Sequence, residues 1–184
     1  MTTTALFVEL LVSGVQSMLW IGVLMLIGCD PHRLIAVVTQ HSVGSSVILL
    51  ALAYSLGIVF DRVWDAMLNP IDKHIRAKTF PDAEQVHRVR ALLFSSDPVR
   101  AQFVDYIRGR IRITRSTVCN AMMIVLSAGI VACVHWDSSW VCWLVCGAVF
   151  SAVIAGVALY AHYKVIGTYY KTLKRFELHV TENH

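Results

Sequence analysis

Basic residues are nearly missing from two of this chain's three loops, and charge of either sign is nearly missing from four long stretches. The stretches run at about Ala5–Ile27, Val43–Phe60, Val118–Val134 and Trp140–Tyr160, and the one charged side chain within them is Glu9. Runs of that length exclude a water-facing surface along these segments, whereas a helix crossing a hydrocarbon core about 30 Å thick needs roughly 20 apolar residues. Lipid offers the backbone no hydrogen-bond partner, so each run reads as a helix. The sequence therefore predicts an all-α polytopic membrane protein with four transmembrane helices.

Other absences narrow the function. No HExxH, GxSxG, Walker or Gly-rich phosphate-loop pattern occurs, and no cysteine spacing resembles paired zinc ligands. The histidines, including His32, His41, His135 and His162, are scattered, so no metal site and no cofactor is expected. The nearest approach to a catalytic cluster is Asp61, Asp65, Asp72 and His74, but Arg62 and Lys73 stand beside it. It reads as charge bordering a membrane helix, and the chain as a non-enzyme. No internal repeat or mid-membrane break favours a small transporter. Cys142 and Cys146 share a helix face and read as packing residues, while a Cys29–Cys133 disulfide stays open on an oxidising side.

What is present sets the orientation. Of 16 Lys and Arg, Arg33 alone lies between the first and second runs and none lies between the third and fourth; eleven lie between Arg62 and Arg115, and Lys164, Lys171, Lys174 and Arg175 follow the fourth run. By the positive-inside rule both termini and the central segment are cytoplasmic. The first run lacks a positive leading region and reads as a retained helix. Four segments result: a first transmembrane pair at 1–60, a basic helical cytoplasmic segment at 61–117, a second pair at 118–162 and a cytoplasmic tail at 163–184.

The central segment is too short and polar to promise a large core, so its helices should extend or brace the bundle. Phe60, Val63, Trp64, Met67 and Leu68 carry the second helix's apolar stripe outward until Asn69-Pro70, where a break is expected. Pro81 with Asp82 and Glu84 reads as a helix start, with Val86, Val89 and Leu93 as the apolar face and an end near Ser95-Ser96. Asp97-Pro98 reads as a cap and first-turn proline. No proline follows before the end of the third run, so one helix from Pro98 to Val134 is predicted, 37 residues and roughly 55 Å long.

Glu9 is costly inside a membrane helix and marks a candidate site. Ser13, Gln16 and Ser17 share its side of the helix, making a narrow polar stripe. Two main readings stand, with a proton relay as a third. In one, the stripe lines a hydrated path through a homo-oligomer, with a gate at Leu19 or Val23. In the other, Glu9 snorkels to the surface and Gln16 and the serines bond between helices. The pore reading rests on Gln16 having few obvious polar partners within one protomer. Ser42, Ser45 and Ser46 read as helix-start caps. Small residues at Gly147, Ser151 and Ala155, and at Ala148, Ala152 and Gly156, make the fourth helix a packing element.

Arg108, Arg112 and Arg115 stand at i, i+4 and i+7, with Arg100 two turns earlier. Such a stripe binds anionic lipid, pairs with Asp61, Asp65, Asp72 or Asp105 across subunits, or holds a phosphate-bearing ligand such as a nucleotide or oligonucleotide. Membrane lipids, further copies of the chain and a cytoplasmic protein or nucleotide are thus the expected partners.

With its polar first helix (Glu9, Ser13, Gln16), the LGIVFDRVWD segment from Leu56 to Asp65 and the RGRIRITRSTVCN segment from Arg108 to Asn120, the full-chain layout resembles the small four-helix membrane effectors of bacterial antiphage defence systems. The resemblance implies an oligomeric inner-membrane protein that causes ion leakage or depolarisation under control of its cytoplasmic face. It transfers no catalytic or ligand residue. The leading expectation is a homo-oligomeric channel lined by the first helix and gated through the basic helices; the alternative is a non-conducting, membrane-anchored assembly or interaction protein.

Overall fold

A computed structural model describes residues 3–29, 42–96 and 98–182, which form five helices: α1 (Thr3–Met25), α2 (Ser42–Ala77), α3 (Ala83–Ser96), α4 (Pro98–Val134) and α5 (Val141–Glu182). No strand occurs among the described residues. Helices α1, α2, α4 and α5 are long and apolar enough to cross a membrane, as a multi-pass membrane protein requires. The expected cap at Asp97 and the loop holding Arg33 lie outside the described residues.

Three of these helices are much longer than a bilayer core. At 1.5 Å per residue, the 36, 37 and 42 residues of α2, α4 and α5 extend roughly 54, 55 and 63 Å. Each therefore continues well beyond its apolar stretch, and all three do so at the basic end.

Packing runs in the order α2, α1, α4, α5, and α1 and α5 do not touch. The α1–α2 crossing brings two backbones into direct contact. A Cβ on Gly14 would lie 1.5 Å from the Ala53 carbonyl oxygen, and one on Gly57 1.9 Å from that of Leu10. Only glycine at both positions lets the two backbones meet. On α5 the covered positions of the apolar stretch are Val141, Leu144, Ala148, Ser151, Ala155 and Ala158, alternating steps of three and four that form one seam against α4. Gly147 and Gly156 have nothing near them, so only part of the expected small-residue pattern is used for packing.

One expectation about helix ends is corrected. Helix α2 runs straight through Pro70 to Ala77 instead of stopping there. An interior proline costs about 3 kcal/mol. Trp64 and Leu68 before it and Ile75 after it are buried, each stabilising by about 2 kcal/mol, so packing on both sides holds the helix in line. Helix α5 is continuous to Glu182, because Ile166, Tyr169, Leu173 and Phe176 keep a buried stripe going.

Helix α3 begins at Ala83, two residues after Pro81, with Asp82 Oδ1 accepting the Glu84 N–H at 3.0 Å. Val86, Val89 and Leu93 are buried as its apolar face predicts. They join Phe80, Val104, Ile107, Leu173 and Phe176 in a compact apolar core beyond the spans. The extensions thus brace one another through a small core of their own.

Candidate functional site at the charged end

Polar residues of α1 meet polar residues of α4 in one buried seam. Ser13 and Ser17 are buried, as are Ser116 and Asn120. The Ser116 hydroxyl donates to Ser13 Oγ at 2.6 Å, and Ser17 Oγ lies 3.0 Å from Asn120 Oδ1. Trp20 Nε1 donates to the same Asn120 oxygen at 3.1 Å, while Asn120 Nδ2 donates to Ser116 Oγ at 3.0 Å. Gln16 Nε2 donates to Thr117 Oγ1 at 3.2 Å.

The premise that one protomer offers Gln16 few polar partners is therefore corrected: α4 supplies them. Asn120 is the hub, and the sequence reading passed over it. Its signal was available, since Ser116 and Ser127 lie four residues before and seven after it on the same helix face. Leu19 is exposed on the side of α1 away from this seam, and Val23 is half-buried.

Toward the basic end, where α2, α4 and α5 extend past their apolar stretches, a cleft of about 290 Å³ opens between them. Its charged lining is Asp61, Arg62, Asp65 and Asp72 from α2 and Arg108, Arg112 and Arg115 from α4, with Tyr169 and Tyr170 from α5. Arg115 is the buried member, its side chain 7% exposed. Its Nη2 lies 3.3 Å from Asp61 Oδ1 and its Nη1 bonds to Asp65, yet its Nε has no hydrogen-bond partner among the described residues. Arg112 Nη1 lies 3.8 Å from Glu9 Oε2. That oxygen is buried without a hydrogen bond, so Glu9 sits at the upper edge of the same charged region.

Arg108 pairs with Asp105 at 3.5 Å, and Asp72 Oδ1 lies 3.2 Å from His162 Nε2. The four aspartates weighed for pairing across subunits are thus met within the chain. Arg100 departs from the stripe: it lies over the Phe176 ring at 5.9 Å, in a separate groove with Phe103 and His179. Three of the four arginines expected to share a site are together.

His162, set among scattered interfacial histidines by its sequence position, is fully buried. Its Nδ1 lies 3.1 Å from Thr114 Oγ1, so one imidazole ties α5 to both α2 and α4. His74, from the weighed Asp cluster, is exposed, and Asp61 and Asp65 are turned to Arg115. Among the described residues no group of three or more His, Cys, Asp or Glu is placed to hold a metal. Cys29 and Cys133 are both exposed and are not bonded to each other in this structure.

No family model, curated protein or solved structure matches this chain.

Proposed function

We propose that this is a membrane-anchored interaction protein, whose four spans hold a charged cleft at the cytoplasmic face. One contrast carries the reading. The polar groups of α1, which a pore would need along its axis, are taken up by α4 inside one protomer, whereas accessible charge gathers in the cleft. The excess of Lys and Arg at that end supports a cytoplasmic orientation for the cleft and both termini. Exposed apolar faces, including Val47 and Ile48 on α2 and Phe150, Val153 and Val157 on α5, suit lipid or a second copy of the chain.

The buried, unbonded Oε2 of Glu9 favours a second reading, an oligomeric pore with Glu9 at its inner mouth. Reconstitution into planar bilayers separates the two. The anchored protein gives no discrete currents, and Gln16→Leu changes only its stability. Discrete currents altered by Gln16→Leu would overturn the proposal in favour of a pore lined by α1.

A further inference from the structure

The cleft has more guanidinium groups than its geometry satisfies. Arg108, Arg112 and Arg115 stand on one stripe of α4, and Arg62 adds a fourth from α2. Arg115 is more than nine-tenths buried, and its two Nη groups are occupied by Asp61 and Asp65. Its Nε–H nevertheless has no acceptor among the described residues, an arrangement that is costly to leave unmade. Arg112 is 3.8 Å from Glu9, beyond hydrogen-bond length. Arg108 reaches Asp105 only at 3.5 Å. These groups are held near acceptors without being well bonded to them.

We propose that the cleft binds a phosphate ester, whose oxygens accept from Arg108, Arg112 and the Nε of Arg115. Guanidinium groups present planar donor pairs that match phosphate oxygens, and a phosphate offers more acceptor oxygens than any one of the nearby carboxylates. Asp65 is 58% exposed and is free to swing aside as the phosphate enters. Asp61 and Asp72 remain in the lining, which selects a phosphate with hydrogen-bond donors beside it. A phospholipid headgroup with an ammonium or hydroxyls has this chemistry, and so does a nucleotide with its ribose. The cleft begins at Asp61, where the apolar run of α2 ends, and continues to Asp72, about 16 Å further along the helix at 1.5 Å per residue. It is therefore open to a ligand from the lipid surface or from water.

This inference rests on reading the basic end as the working end of an anchored protein, and the bilayer recordings test that reading without reference to phosphate. Two probes test the inference itself. Adenosine 5′-monophosphate is titrated calorimetrically into protein held in phosphatidylcholine nanodiscs, and retention of phosphatidylglycerol from mixed vesicles is followed by native mass spectrometry. Wild type should respond to at least one probe. Adenosine 5′-monophosphate binding assigns a soluble source, and phosphatidylglycerol retention assigns a lipid source.

Arg108→Gln with Arg112→Gln should weaken the response about tenfold or more, the loss expected for charge-assisted hydrogen bonds. Arg62→Gln, at an exposed position and therefore safe for folding, should weaken it by a smaller factor. Arg110→Gln removes the same charge from α4 outside the cleft, where Arg110 lies over Tyr106 at 4.9 Å, and should leave binding unchanged. Wild type that responds to neither probe overturns the inference. So does an Arg110→Gln loss equal to that of Arg62→Gln, since generalised charge attraction then accounts for the binding.

Discussion

Asp72 on α2 and His162 on α5 lie 90 residues apart in the chain and 3.2 Å apart in space. Asp72 also lines the cleft, and with Thr114 on the other ring nitrogen the contact joins the three long helices at one point. Below it, α2 and α5 are separated by α1 and α4.

Replacing His162 with Leu should therefore loosen the extensions more than any exposed histidine does. It leaves Asp72 without its imidazole partner, while the Thr114 hydroxyl keeps the Arg110 carbonyl at 2.9 Å, at a cost of about 2 kcal/mol. Thermal melting in detergent should show a fall of several degrees for His162→Leu and almost none for His74→Leu, which is exposed. Equal melting of the two variants would remove the tie from the account.

Asn120→Leu should cost more than Gln16→Leu. Hydrogen bonds between membrane helices average about 0.6 kcal/mol. Asn120 is bonded to Ser17, Trp20 and Ser116, so about 2 kcal/mol is at stake there, against about 1 kcal/mol for Gln16. Unfolding of both variants in mixed micelles provides the comparison, and the reverse order would mean that Asn120 is not the hub.

Gly14→Val should separate α1 from α2, since its side chain has no space against Ala53. Gly147→Val should be tolerated because nothing lies within 4 Å of that position. Cysteine crosslinking between the two helices, engineered away from the crossing, should be lost in the first variant and kept in the second. Retained crosslinking in Gly14→Val would contradict the close approach.

Arg115→Met alone should be destabilising by about 3 kcal/mol, because it leaves the half-buried Asp61 carboxylate without its cation. Adding Asp61→Asn should recover much of that loss, while Asp65, being largely exposed, needs no compensation. A double variant no more stable than the single one would show that the ion pair is not the origin of the cost.

Much of the helical layout was legible. The four apolar runs mark the spans, and Pro98 with the proline-free stretch after it marks α4 at both ends. Local rules failed where packing outweighed them. Pro70 signals a break but lies between buried residues on one helix. Lys164, Lys171 and Lys174 mark the cytoplasmic side but do not reveal that the buried Ile166, Tyr169 and Leu173 between them extend α5. The seam between α1 and α4 is a matter of which helices are neighbours. Neither Gln16 nor Asn120 carries that information in its own surroundings, and of the small-residue columns of α5 only Ala148, Ser151 and Ala155 are covered by α4 while Gly147 and Gly156 are not. The charged cleft was half legible, since the arginine stripe is periodic while its carboxylate partners come from a helix some 50 residues away.

The α1–α4 seam also has a consequence for how the chain is made. Ser13 and Ser17 leave the ribosome 103 residues before the Ser116 and Asn120 that bond to them. At roughly 5–20 residues per second, that is a wait of about 5–20 s. During that interval α1 already has its glycine-matched neighbour α2, but its polar stripe has no α4 to meet. A chain arrested before Ser116 therefore carries an unfinished first hairpin, with a need for the insertion machinery or another polar surface to shelter it that the completed protein no longer has.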